Sequence, residues 1–144
     1  DLGQLEKALS MEQDIYSDSV QLLGEENRDT LEAAGNLAIT LRDLERFQEA
    51  RSVLRNAIPL VRRVLGESDQ FALAVRSNYA EALYRDDGAT LADLSEAVTT
   101  LEETEQTALR VLGGAHPTTA SIQRFLGESR NVLARAITVA LGDS

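Results

Sequence analysis

From Phe47 onwards the apolar side chains return at steps of three and four: Phe47, Ala50, Val53, Leu54, Ala57, Ile58, Val61 and Leu65. That spacing places them on one stripe of a helix. Leu31, Ala34, Leu37, Ala38 and Leu41 form a second stripe, which Asp29 is expected to open as N-cap, with Glu32 three residues later. No stretch alternates with period two for long enough to make a strand, so the pattern predicts an all-α chain. A tight turn near Glu45 joins the two stripes into one helix pair. Gly24, Gly66 and Gly113 stand where helices should stop, because glycine takes the left-handed backbone of a helix end without a Cβ penalty. Pro59 falls inside the second helix of its pair, where it removes a backbone hydrogen bond and is expected to kink the rod.

The pattern also repeats. Asp1, Leu2, Leu5, Ala8, Leu22, Leu23 and Gly24 stand 42 residues before Asp43, Leu44, Phe47, Ala50, Val64, Leu65 and Gly66. "GNLAITL" (35–41) returns as "SNYAEAL" (77–83) after 42 residues, and "EARSVL" (49–54) returns as "EAVTTL" (96–101) after 47. The five extra residues sit in "RDDGATLADLSEA", between the helices of the second unit. A helix pair that cannot bury its apolar face alone, repeated at a fixed period, predicts a solenoid in which each copy covers its neighbour. The expected layout is a single repeat domain over 1–144: a half repeat 1–24, repeats 25–66 and 67–113, and a closing helix or partial repeat 114–144, with about six helices. The start at an inter-helix turn reads as a piece of a longer array or a domain whose first helix is trimmed. On that reading Leu5, Leu9 and Tyr16 would lie exposed for end-to-end association.

Composition narrows the function. The 144 residues are 43% hydrophobic, enough for a real core, and 24 acidic against 14 basic residues give a net charge of −10. An acidic surface repels phosphates, which argues against a nucleic-acid partner. The chain has no cysteine, hence no disulfide framework and no thiolate chemistry, which suits a reducing, cytoplasmic compartment. No apolar run approaches the roughly 18 to 20 residues that span a bilayer. His116 is the only histidine, so a Ser-His-Asp relay or a two-histidine metal site has nothing to build on, and its place before Pro117 predicts helix capping instead. "RDDGAT" (85–90) lacks the closing glutamate of a calcium loop and "LGGAH" (112–116) the lysine of a phosphate cradle. Nothing here points to an enzyme or to a cofactor.

The units "LLGEENRDTLEAAGNLAITL", "RFQEARSVL", "RRVLG" and "VLGGAHPTT" resemble the tetratricopeptide repeat, in the variety near 42 residues seen in kinesin light chains, with its L-G-x-x-H-P-x-T, N-L-A-x-x-L, E-A-x-x-L and V-L-G elements. The resemblance implies a right-handed superhelix of antiparallel helix pairs. Its small positions would be Ala38 and Ala80 on first helices and Ala8, Ala50 and Ala97 on second helices. The last unit departs from the pattern: "FLGESRNVL" (125–133) puts Gly127 at the small position and Arg130 at an apolar one, and 117–141 reads as one long terminal helix or a helix pair.

The resemblance further implies a protein–protein interaction module in which the first helices of successive units line a concave groove for a peptide. The residues expected to face it include Asn36, Arg42, Asn78, Tyr84, Arg85, Arg124 and Asn131, together with Ile39, Asp43, Glu81 and Glu128. In the family the asparagine of N-L-A commonly holds the peptide backbone, which carries over to Asn36 and Asn78; bonding of both to neighbouring helix backbone is the plainer alternative. The arginines would pair with carboxylates of an acidic ligand. A competing reading makes the array an architectural or regulatory segment packed against another domain of a longer parent.

Overall fold

Short polar side chains at five positions accept hydrogen bonds from the unpaired N–H groups of a first helical turn, and they set where the helices begin. In the computed structural model, which describes residues 1–142, six helices result: α1 (Leu2–Leu23), α2 (Arg28–Asp43), α3 (Phe47–Leu65), α4 (Gln70–Arg85), α5 (Leu91–Val111) and α6 (Pro117–Ala140). Asp1 and Thr90 form capping boxes with Gln4 and Asp93. Asp69 accepts from the N–H groups of Phe71 and Ala72 at 2.8 and 3.3 Å. His116 caps α6, its Nδ1 accepting from the Thr118 N–H at 3.1 Å with Pro117 at the first helical position.

The cap of α2 is Asn27 and not the expected Asp29. The Asn27 backbone is extended, so its Oδ1 reaches the Asp29 N–H at 2.8 Å, while Asp29 lies in the first turn with its charge against the positive end of the helix dipole. Gly24, Gly66 and Gly113 end helices as expected, all at φ between 83 and 88°. Glu45 turns the chain between α2 and α3 with φ 61°, and the Glu45 and Arg46 N–H groups each reach back to α2 carbonyls at 2.8 Å.

Each helix packs against the next, and two further approaches join α2 to α4 and α4 to α6. Among the described residues no such approach joins α1 to α3 or α3 to α5. The row α2, α4, α6 is therefore the tighter, inner side of the array and α1, α3, α5 the wider, outer side. Contacts from Gln70 to Thr118 at 3.4 Å and from Tyr84 to Glu128 at 2.7 Å, near opposite ends of α4, show that α4 and α6 run parallel. These are the packing relations of the expected all-helical solenoid.

The core runs along this array. Ala50, Ala80 and Ala97 are fully buried, as small positions where helices meet, and Leu73, Leu83 and Leu101 fill the layers between them. The helix α4 has neighbours on every side, so even its Arg76, Ser77 and Glu81 are buried. The five inserted residues divide in two. The turn 86–90 is two residues longer than the turn 44–46, and Leu91–Asp93 add a turn to the start of α5 before Leu94 takes the place that Phe47 has in α3.

Two expectations about the ends resolve here. Residues 117–140 form one long helix, on which Gly127 and Arg130 are exposed; a Cβ on Gly127 would meet nothing within 4 Å, and Arg130 pairs with Glu102 at 3.1 Å. On α1, Leu5, Leu9 and Tyr16 are not an exposed stripe. They turn inward, Leu9 into a cluster with Leu37, Leu41 and Ala50, and the exposed apolar positions are Met11, Ile15, Leu22 and Leu23 instead. The reason is that α1 has α2 as its packing neighbour and buries only the stripe that faces it.

Candidate functional site

The inner row carries the candidate groove, and its polar face is organised around one carboxylate. Glu81 projects from the middle of α4, where its side chain is only 8% exposed, and it takes hydrogen bonds from two arginines of different helices: Arg42 of α2 at 2.9 Å and Arg85 one turn further along α4 at 3.3 Å. A buried carboxylate left unpaired would be costly, and the two guanidinium groups meet that need together. Arg42 also holds Asp43 at 3.1 Å, and the Arg85 guanidinium lies over the Phe47 ring, 5.4 Å from its centroid.

One step along the array, Tyr84 is buried and donates its hydroxyl proton to Glu128 of α6 at 2.7 Å. Burial first, and then this bond to a carboxylate, push the Tyr84 phenol far above its ordinary range. Beside this pair a cleft of about 600 Å³ opens between the C-terminal half of α6 and the end of α4. Arg85, Asn131 and Arg135 line its walls together with Asp86 and Asp87 of the inserted turn. Asn131 and Arg135 are exposed, and among the described residues no carboxylate lies within ion-pairing distance of Arg135. The cleft thus presents donors and acceptors of both signs, a wall able to hold a polar chain and orient it.

Of the residues expected in the groove, Tyr84, Arg85 and Asn131 are brought together in this cleft, and Arg42 joins them through Glu81. Asn36 lies apart, exposed in a shallow hollow with Glu12, Ile39 and Thr40. Asn78 is half-buried on α4. Among the described residues neither asparagine side chain makes an intramolecular hydrogen bond, so the backbone-bonded alternative is not what the geometry shows. Arg124 is exposed with its guanidinium over the ring of its own neighbour, Phe125, at 5.1 Å, and it does not line the cleft. The sequence reading passed over Arg135. Its signal was available in the helical spacing from Glu128 through Asn131 to Arg135, which places all three on one face of α6.

Among the described residues no group of three or more histidine, aspartate or glutamate side chains is arranged to hold a metal ion, and no helix is long and apolar enough to cross a membrane. Residues 30–70 match the family model described as tetratricopeptide repeat, of the kinesin-light-chain-like type. No curated protein matches the chain significantly. The matched stretch covers nearly the whole of the helix pair α2–α3, so this pair is similar to a tetratricopeptide repeat, and the remaining helices continue it as a row of successively packed helices.

Proposed function

We propose that this chain is a non-enzymatic interaction module, organised as repeats 25–66 and 67–113 flanked by partial units, that holds an extended segment of a partner protein along α2, α4 and α6. The observation that carries the reading is the cleft between α4 and α6, where Asn131 and Arg135 offer donors and, among the described residues, no carboxylate pairs with the arginine. Asn36 and Asn78, whose side chains make no internal bonds among the described residues, extend the same supply of donors and acceptors along the row. An extended peptide needs its main-chain groups paired as it leaves water, and amides that both donate and accept suit that task.

The ligand that fits best has mixed charge. Arg42 and Arg85 are already engaged by Glu81, so the expected acidic ligand narrows to one that brings a carboxylate to Arg135 while a basic group faces Asp86 and Asp87. Such exposed pairs are individually weak and screened by salt, so a chain of this length should bind at roughly micromolar affinity or poorer. The lack of cysteine fits a partner met in the reducing cytoplasm.

A peptide array probed with the protein, followed by titration of the best binders, tests the reading. Replacing Asn131 and Arg135 together by alanine should weaken a genuine ligand by about tenfold, the effect of losing two polar contacts, while the helix content stays unchanged. The competing architectural reading rests on the exposed stripe Met11, Ile15 and Leu22 on α1, which could also join two copies end to end. If the groove variant binds its partner unchanged and Ile15→Asp abolishes binding, the outer stripe is the contact and the groove is not.

A further inference from the structure

On the opposite side of the array the outer helices α3 and α5 stand apart, and a second cleft of about 220 Å³ lies between them with α4 as its floor. The floor includes Arg76. This residue is 6% exposed, and among the described residues its guanidinium makes no hydrogen bond; the carboxylate of Glu103, itself 63% exposed, stands off at 3.7 Å. Arginine remains protonated in proteins and carries five N–H donors in a fixed fork, and with Glu103 as its salt-bridge partner at 3.7 Å the donors that face the cleft are open to an anionic oxygen. Burial foremost, and then the nearby charge of Arg62, lower the Arg76 pKa against the opposing pull of Glu67 and Glu103.

The rest of the cleft is already matched. Arg55 donates to the Tyr79 hydroxyl at 2.7 Å, and that hydroxyl donates to Glu96 at 2.6 Å, so this wall is closed upon itself. Among the described residues Arg62 pairs with Glu67 alone, across a half-exposed contact at 3.3 Å that it can leave for Arg76 at little cost. Thr100 supplies a hydroxyl on the α5 side. At about 30 Å³ per water the cleft has room for about seven waters, enough for one carboxylate or phosphate and too little for a length of peptide.

We propose that the outer cleft between α3 and α5 is an oxyanion site, in which Arg76 is the buried ligand and Arg62 and Thr100 close the rim around a single carboxylate or phosphate group. The site is independent of the inner groove and lies on the other face of the array. A partner's acidic side chain could enter it while a peptide lies in the groove, and a free oxyanion could occupy it alone.

Nuclear magnetic resonance of the arginine side-chain Nε–Hε groups tests the site, with inorganic phosphate and N-acetylglutamate amide as separate probes. Both should shift the Arg76 resonance saturably, with a dissociation constant of about a millimole per litre, as one buried fork to an oxyanion would give. Tighter binding of phosphate identifies a free oxyanion as the natural occupant, and equal or tighter binding of the carboxylate identifies an acidic side chain. Arg62→Ala should weaken binding about threefold, and Glu103→Gln, by removing the competing carboxylate, should strengthen it about threefold. Asn131→Ala, in the inner groove, should leave it unchanged. The absence of a saturable shift with either probe overturns the proposal. So does a Glu103→Gln variant that binds no more tightly than the parent, because the bound anion would then not be held at Arg76.

Discussion

Arg42 of α2 donates to Glu81 of α4 at 2.9 Å, a bond that ties one repeat to the next across the inner face of the array. Glu81 is buried and takes a second bond from Arg85, so one carboxylate orders two arginines. Replacing Glu81 by alanine should destabilise the protein by about 1–3 kcal/mol, the range for losing a buried charged partner. The same change releases both guanidinium groups, so an acidic peptide should bind more tightly to the variant. Denaturant midpoints and one peptide titration measure both effects; a variant as stable as the parent shows that the pair carries no net energy.

The small positions give a second test. Ala80 is fully buried on α4, and leucine there forces extra methylenes into a packed interface, which should cost about 1–3 kcal/mol. Ala134 is exposed on α6 and should accept the same change with little effect. Ala89, in the inserted turn, is half-buried against the core and would make a poor control. Equal loss of stability at 80 and 134 contradicts the packing described.

Acid should act through the start of α5. Asp93 accepts from the Thr90 N–H at 3.0 Å and pairs with Arg51 at 3.2 Å, and the backbone bond foremost, with the Arg51 contacts, holds its carboxyl below the usual range against the opposing effect of burial. A depressed carboxyl contributes stability that is complete above the unfolded value of about 3.9 and is lost as pH falls through the folded one. Melting temperatures of the parent and Asp93→Asn should therefore differ most at neutral pH and converge at strongly acidic pH. A constant gap down to full protonation rules out this linkage.

Alkali should act through two phenols. Burial, then the bond to Glu128, raises Tyr84; burial and Glu96 raise Tyr79 against the opposing pull of Arg55. A raised phenol adds stability that is present below the unfolded value of about 10 and is lost as pH rises through the folded one. Absorbance at the phenolate band should show both tyrosines resisting ionisation past that point while circular dichroism remains helical. Tyr84→Phe should remove one late-titrating group from the curve.

The helices, the turn at Glu45 and the glycine stops were legible in the sequence because each depends on residues within a turn or two of one another. The repeat gave the rest of the architecture, since a period of 42 residues fixes which helix covers which. Finer matters depended on distances that no local pattern encodes. Glu81 stands in the sequence as one more residue of the groove face, whereas it meets Arg42 from 39 residues away and becomes the centre of that face. Arg124 shared a helix with Asn131 and seemed to share its groove, yet it lies over Phe125 outside the cleft. The stripe on α1 was visible as apolar, but which half of it faces inward follows from the position of α2. The outer cleft needed the structure most, because Arg76 has a polar residue's sequence signal and a core residue's burial.

The uneven company of the six helices has a mechanical consequence. α1 leans mainly on α2, with Leu9 sharing a cluster with Ala50 of α3, whereas α4 is held by α2, α3, α5 and α6. A pull applied at the two ends of the array would meet little resistance at first, peeling α1 away as a unit, and would then stall at the central knot around Leu73, Ala80 and Leu83. Because the backbones of α3 and α5 stand apart among the described residues and are joined by side-chain ion pairs such as Arg51–Asp93, the array can also yield before it tears, by spreading α3 from α5 about the inner row as a leaf spring opens. In a longer structure under load, this segment would act as a soft coupling built around a stiff centre.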